Sequence, residues 1–110
     1  MSKINIKVSI NDVENIVKGI IQDDILKYTI KPYKTKFNYK TNTIINETEE
    51  TRLEIAFNEK ETIGKLLYKP TNTKMNLDIK TKRIIKNNYN IEIEYEIEEQ
   101  KYVYRIEEIK

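Results

Sequence analysis

The chain of 110 residues contains no cysteine and no histidine. The missing cysteines exclude disulfide bonds, thiolate catalysis and cysteine-ligated metal ions. The missing histidines remove the commonest general base, the commonest zinc ligand and every nucleophile pair that depends on an imidazole. Catalysis could use only carboxylates, lysines and tyrosines, and no catalytic motif is present. We therefore expect a protein that is not an enzyme and that has no catalytic residue, no metal site and no cofactor.

Long apolar runs are also missing. No stretch approaches the ~20 apolar residues of a membrane-spanning helix, and the N-terminus lacks the apolar segment of a secretion signal. These features predict a soluble cytoplasmic protein with no membrane partner. The excess of isoleucine, lysine and asparagine is typical of proteins encoded by AT-rich DNA, which favours a bacterial source. A net charge of +2 is small for a dedicated nucleic-acid-binding protein, so nucleic acid is not the partner that we expect first.

Alternation of apolar and polar residues is the strongest pattern that the chain does contain. Within residues 89–109, isoleucines and tyrosines alternate with glutamates, and a period of two puts one set on a buried face. We predict a β-hairpin in which Ile97 faces Tyr102, Tyr95 faces Tyr104 and Ile93 faces Ile106. The connecting residues have no Asn-Gly or other glycine signal of a tight turn, so we expect a loose four-residue connection.

Residues 13–30 allow two interpretations. The apolar residues of the first part recur at the spacing of an amphipathic helix. Gly19 and the Asp23-Asp24 pair instead favour two strands, at residues 16–21 and 25–30, with a turn between them. We favour the two strands. Leu26, Tyr28 and Ile30 would then face inward.

Eight to ten short strands, with turns at nearly regular spacing, predict one all-β domain over residues 1–110. Four segments resemble the YwiB-like family of small bacterial proteins. They are Lys18-Gly19 with the Asp23-Asp24 turn, Leu26 and Tyr28; residues 57–67 with Gly64; Met75, Leu77, Ile79, Thr81 and Ile84; and Ile91, Ile93, Tyr95 and Ile97 followed by Tyr102 and Ile106. The resemblance implies a small antiparallel calycin-like (lipocalin-like) β-barrel. The family has no established function, so the resemblance implies no site residue.

Five tyrosines fall at positions that alternation predicts to face inward: Tyr28, Tyr68, Tyr95, Tyr102 and Tyr104. Tyrosine rings that line a barrel lumen can direct their hydroxyls at a small ligand. An eight-stranded barrel is, however, just wide enough to be filled by its own side chains, and alanine and glycine are scarce here. We expect a filled or nearly filled barrel. The leading hypothesis is a binding or interaction module for a small amphipathic ligand or a protein partner, and the oligomeric state stays open.

Two basic segments, residues 31–40 and 80–86, support an alternative hypothesis of nucleic-acid association. The candidate contacts are Lys34, Lys36, Lys40, Lys82 and Arg83. Basic residues between aromatic ones can follow a phosphate backbone while bases stack on the rings. Alternation, however, puts Lys34, Lys36 and Lys40 on the strand face opposite Phe37 and Tyr39. That arrangement is more typical of a solvated strand whose rings belong to the core.

Overall fold

The computed structural model describes residues 1–110 and contains eleven strands in one antiparallel sheet. The strands are β1 (Ser2–Ile10), β2 (Val13–Gln22), β3 (Ile25–Ile30), β4 (Tyr33–Asn38), β5 (Thr43–Glu47), β6 (Thr51–Ala56), β7 (Ile63–Tyr68), β8 (Thr73–Leu77), β9 (Ile79–Asn87), β10 (Asn90–Ile97) and β11 (Gln100–Glu108). A single 3-10 turn, Lys69–Thr71, connects β7 to β8. No helix has the length and hydrophobicity that crossing a membrane would require. The predicted all-β antiparallel fold is confirmed.

The sheet closes into a near-complete barrel because its two end strands are consecutive in the chain. The strand order is β8-β7-β6-β5-β4-β3-β2-β1-β11-β10-β9, and only Asp78 separates β8 from β9. One side-chain hydrogen bond reinforces the closure: the Thr62 hydroxyl, just before β7, and the Thr81 hydroxyl on β9 lie 2.5 Å apart. The predicted eight to ten strands were too few, because residues 73–87 form two strands with different partners.

Alternation along each strand turns apolar side chains toward the interior. The buried hydrophobic residues form one cluster: Ile6, Val8, Ile21, Leu26, Tyr28, Phe37, Tyr39, Ile44, Ile55, Phe57, Ile79, Ile91, Ile93, Tyr95, Tyr104 and Ile106. Aromatic rings meet inside it, with Phe37 edge-on to Tyr39 at 5.0 Å between ring centroids. Burial of such side chains removes apolar surface from water, which is the main favourable contribution to folding.

Residues 13–30 form strands β2 and β3, so the two-strand interpretation is confirmed. Asp23 and Asp24 form the two-residue turn, both with positive φ (53° and 64°), as a primed hairpin turn requires. Gly19 is needed within β2 for a packing reason. A Cβ atom at this position would lie 2.6 Å from Leu26 Cδ1, so only glycine fits there without displacing the core.

The predicted register of the final hairpin is wrong by two residues. β10 and β11 pair Ile93 with Tyr104 and Tyr95 with Tyr102. Only Glu98 and Glu99 form the connection, both with positive φ (49° and 72°), so the loose four-residue turn is also wrong. A shift of two residues keeps every side chain on its predicted face. The register therefore depends on the neighbouring strands, since β1 also pairs with β11, with Ile10 opposite Tyr104.

Candidate functional site

An open cavity of about 480 Å³ lies at one end of the barrel. The ends of β1, β3 and β5 and the starts of β2, β4 and β6 contribute its lining, together with β7. The residues are Val8, Ile10, Val13, Asn15, Tyr28, Ile30, Tyr33, Thr35, Asn46, Thr51, Leu53 and Leu66. Val8, Tyr28 and Thr35 are buried and form the deep end, whereas Ile10, Val13 and Tyr33 are exposed and form the rim. The walls are largely apolar, and no charged side chain lines them.

A few polar groups converge at the deep end. The Tyr28 and Tyr104 hydroxyl oxygens lie 2.7 Å apart, and either can be the donor. When Tyr104 donates, the Tyr28 hydroxyl can donate in turn, either to the neighbouring Thr35 hydroxyl or to a ligand. The Thr35 hydroxyl donates to Asn46 Oδ1 at 2.9 Å, which leaves the amide N–H groups of Asn46 free to donate as well. The deep end can therefore offer neutral hydrogen-bond donors to a ligand.

Burial keeps Tyr28 and Tyr104 protonated. Burial raises the pKa of the Tyr28 hydroxyl, while its hydrogen bond to Tyr104 acts in the opposite direction. Burial also raises the pKa of the Tyr104 hydroxyl well above its ordinary value, and the nearby Tyr28 raises it further. Neither hydroxyl is ionised near neutral pH, so both serve as hydrogen-bond donors rather than as general bases.

The five tyrosines predicted to line the lumen occupy three different environments. Tyr28 lines the cavity, and Tyr104 lies behind it at the other end of their hydrogen bond. Tyr95 is buried elsewhere in the core, against Phe57 at 5.0 Å between ring centroids. Tyr102 is half-buried and stacks on Tyr95 at 5.4 Å.

The inward placement of Tyr68 is wrong. This residue ends β7 and is 42% exposed. It is followed at once by the 3-10 turn, so it stands at the very end of its strand.

The basic candidates lie on the outside of the barrel. Lys34 and Lys36 are exposed on β4 while Phe37 and Tyr39 are buried, as alternation predicted. Lys40 is exposed in the following turn. The end of the second basic segment reaches this turn, because Lys86 Nζ donates to the Tyr39 carbonyl at 2.9 Å.

Glutamates of β10 neutralise much of the second basic segment. Arg83 contacts Glu92 at 3.0 Å and Glu94 at 2.7 Å, and Lys82 lies 3.9 Å from Glu96. Arg105 Nε also donates to Glu92, at 2.5 Å. That hydrogen bond is the main reason why the pKa of the Glu92 carboxyl is lowered. These charges are therefore less available to an external phosphate than those of Lys34 and Lys36.

Several lining residues escaped the sequence interpretation. Thr35 and Asn46 were not identified, although Thr35 shares the strand face of Phe37 and could have been found by alternation. The rim residues Ile10 and Val13 were assigned only to strands or a possible helix. Val13 and Ile16 could have signalled the rim. They place apolar residues on both faces of one strand, which indicates that this strand does not simply separate the core from solvent.

No group of three or more acidic side chains lies close enough together to hold a metal ion. Comparison of the chain with protein-family models, with curated proteins and with solved structures finds no match.

Proposed function

We propose that this protein is a non-catalytic binding module that takes a small amphipathic ligand into the open end of its barrel. The observation that supports this function is the cavity of about 480 Å³, with apolar walls and a few convergent polar groups at its deep end. Ligand-binding cavities typically measure about 300–1,000 Å³ and have this kind of lining. Since burial raises the pKa of Tyr28, the deep end of the cavity offers a hydrogen-bond donor rather than a general base.

The lining selects a ligand with an apolar body and an uncharged oxygen acceptor. A buried charge without a partner is strongly disfavoured, and no charged side chain lines this cavity. A hydroxyl, carbonyl or protonated carboxyl oxygen could instead accept hydrogen bonds from Asn46 and Tyr28. The apolar body would then lie along Ile30 and Leu53 and end near the exposed rim at Val13. Any charged group would remain in water outside the rim.

The same proposal includes the finer assignments that the sequence suggests. The chain would be a YwiB-like, calycin-type barrel acting in the bacterial cytoplasm. The support is the resemblance of its strand spacing together with the nearly closed antiparallel barrel. A ligand cavity at one mouth is a common feature of small barrels that bind ligands.

A fluorescence titration with a solvatochromic fatty-acid probe tests the proposal. We expect saturable emission enhancement with the wild-type protein and competition by the corresponding uncharged fatty alcohol. Val13→Asp should weaken probe binding about tenfold, because it introduces a charge at the apolar rim. Ile16→Asp is the matched control, since Val13 and Ile16 are 69% and 72% exposed on opposite faces of β2. The proposal fails if emission does not saturate, or if both variants bind as the wild type does.

Nucleic-acid association is a second proposal, supported by Lys34 and Lys36, which are exposed and form no ion pair. Because Phe37 and Tyr39 are buried beneath them, the contact would involve phosphates without base stacking. Binding would be weak, salt-dependent and independent of sequence. A filter-binding or anisotropy titration of single-stranded DNA at several salt concentrations tests it. Binding that is unchanged when Lys34, Lys36 and Lys40 are replaced by Glu would exclude this face.

A further inference from the structure

The barrel wall is split between β2 and β3. Their ladder has three residue pairs, from Gln22–Ile25 to Ile20–Lys27, although β2 begins at Val13 and β3 continues to Ile30. On its other side β2 pairs with β1 along its whole length except Gln22, and β3 pairs fully with β4. Beyond the Ile20–Lys27 pair, the edge of β2 back to Val13 therefore has no ladder to β3. The edge of β3 on to Ile30 likewise has no ladder to β2.

The geometry of the adjoining turns shows which backbone groups face the split. In a two-residue hairpin, the pair next to the turn is hydrogen-bonded, and bonded pairs then alternate along the strand. From Ile10–Val13 onward, the odd-numbered residues of β2 bond to β1. The N–H and C=O groups of Glu14, Ile16 and Lys18 thus point toward β3, where they have no ladder partner. An exposed strand edge of this kind is a template for another strand.

The two sides of the split differ in chemistry. On the outer side, a hollow of about 640 Å³ is bordered by Lys18, Lys27, Lys34 and Lys36, none of which forms an ion pair. The single acid at this hollow is Glu47, which Lys69 Nζ holds at 2.6 Å. On the inner side lies the apolar cavity. Tyr28 and Thr35 border both hollows, so the two adjoin at the split.

We infer that the split is a docking site for an extended segment of a partner protein in which apolar and acidic residues alternate. Such a segment would add as a strand along the free edge of β2 and satisfy its backbone groups, which is how many extended peptides are recognised. Alternate side chains of an added strand point to opposite faces. The apolar ones would enter the cavity, and the acidic ones would meet the lysines outside. This inference goes beyond the proposed function, because it requires no small ligand.

Fluorescence anisotropy with the full-length protein and a labelled peptide of alternating valine and glutamate tests the inference. Two control peptides carry lysine in place of glutamate, or proline at the central positions. We expect saturable binding of the acidic peptide and no binding of the lysine peptide. The proline peptide cannot donate the central hydrogen bonds and should bind about tenfold more weakly or worse. Equal binding of the acidic and proline peptides would overturn the inference.

Two sets of protein variants separate strand addition from general attraction to negative charge. Replacing Lys18, Lys27 and Lys36 by Glu should weaken peptide binding about tenfold, since several exposed ion pairs are lost together. The matched control replaces Lys3, Lys60 and Lys74, which are exposed and unpaired elsewhere on the surface, by Glu. The control should bind as the wild type does. If the two triple variants bind equally well, the lysines at the split are not the contact and the inference fails.

Backbone pairing is tested at Ile16, whose N–H group is not hydrogen-bonded to β1. Ile16→Pro should abolish peptide binding while the circular dichroism spectrum stays that of the wild type. Amide exchange gives a readout that needs no variant: the Ile16 and Lys18 amides should become protected when the peptide binds to the wild-type protein. Unchanged exchange at both amides would overturn the inference. The inference also fails if single-stranded DNA displaces the peptide and the peptide never protects these two amides. It fails as well if the protein forms a stable dimer through β2 that the peptide does not dissociate.

The outcomes remain distinguishable from those of the proposed function. Probe binding that is sensitive to Val13→Asp, in the absence of peptide binding, would retain the cavity and exclude the docking site. Peptide binding without saturable probe binding would retain the docking site and exclude the small-ligand cavity.

Discussion

The hydroxyl groups of Tyr28 on β3 and Tyr104 on β11 are hydrogen-bonded at 2.7 Å inside the barrel, although 76 positions separate the residues in the chain. The bond joins two strands that are not neighbours in the sheet. It satisfies two polar atoms in a region where an unpaired hydroxyl would be costly. It also sets the polar character of the deep end of the cavity.

A double-mutant cycle on this pair should show strong coupling. Tyr28→Phe or Tyr104→Phe alone leaves one buried hydroxyl without its partner and should lower the free energy of unfolding by about 1–3 kcal/mol. The double variant removes both hydroxyls and should be nearly as stable as the better single variant. Urea denaturation of the four proteins measures this. Additive losses would show that the two hydroxyls contribute independently.

The buried ring of Tyr95 should contribute far more to stability than the exposed ring of Tyr68. Tyr95 packs between Phe57 and Tyr102, and removing a large buried ring typically costs about 3–5 kcal/mol. Tyr95→Ala should therefore unfold the protein or shift its denaturation midpoint strongly. Tyr68→Ala is the same substitution at a position that is 42% exposed, and it should cost about 1 kcal/mol or less. Similar midpoints for both variants would contradict the described core.

Substitutions in the Glu98-Glu99 turn should stabilise the protein. Both residues adopt positive φ, which costs an ordinary L-residue about 1–2 kcal/mol relative to glycine. Asn-Gly is the pair that such a two-residue turn prefers. Glu98→Asn with Glu99→Gly should raise the free energy of unfolding by about 1 kcal/mol.

The Glu49-Glu50 pair provides the matched control for this turn. Neither residue has positive φ, so the same Asn-Gly replacement there should leave stability unchanged or lower it. Thermal denaturation of the two variants compares them directly. A gain at residues 49 and 50 equal to that at residues 98 and 99 would attribute the effect to lost negative charge instead.

The close approach at Gly64 predicts a clash and its rescue. A Cβ atom there would overlap Ile79 Cδ1 and lie 3.3 Å from Leu77 Cβ. Gly64→Ala should therefore destabilise the protein by about 1–3 kcal/mol, as overpacking usually does. Adding Ile79→Val removes the obstructing methyl group and should restore part of the loss. If denaturation shows that Ile79→Val lowers the free energy of unfolding equally in the wild type and in the Gly64→Ala variant, the clash is absent.

Alkaline pH should unfold the protein through its buried tyrosines. Burial raises the pKa of Tyr95 to about 12, against about 10 for an unfolded tyrosine. The folded state therefore keeps a proton that the unfolded state releases. The resulting stability is fully present below pH of about 10 and is lost as the pH rises through the folded pKa. Each such group lowers the free energy of unfolding by about 1.4 kcal/mol per pH unit in this window.

Tyr28 and Tyr104 should add to the slope, because burial raises the pKa of each. Urea denaturation at increasing pH, followed together with tyrosinate absorbance, measures the effect. Tyr95→Phe should give a shallower decline than the wild type. Stability that stays constant while the buried tyrosines ionise would show that they are solvent-accessible.

Strand faces were predictable from the sequence because they depend on one strand at a time. Ile91, Ile93 and Tyr95 alternate with glutamates, and the period of two alone assigned them to the interior. The same argument placed Phe37 inside and Lys36 outside. The missing cysteines and histidines likewise determined which chemistry the cavity could not contain. None of these results requires knowledge of which strands meet.

Only the tertiary structure decided the register, the cavity and the split wall. A shift of two residues leaves every face unchanged, so alternation could not distinguish Tyr95 opposite Tyr104 from Tyr95 opposite Tyr102. The cavity needs Val8, Thr35 and Asn46 together, and these come from three strands whose distances are set by closure of the barrel. The free edge of β2 arises because β3 diverges from it beyond Ile20. Such divergence is a relation between strands, and the residues of either strand do not encode it alone.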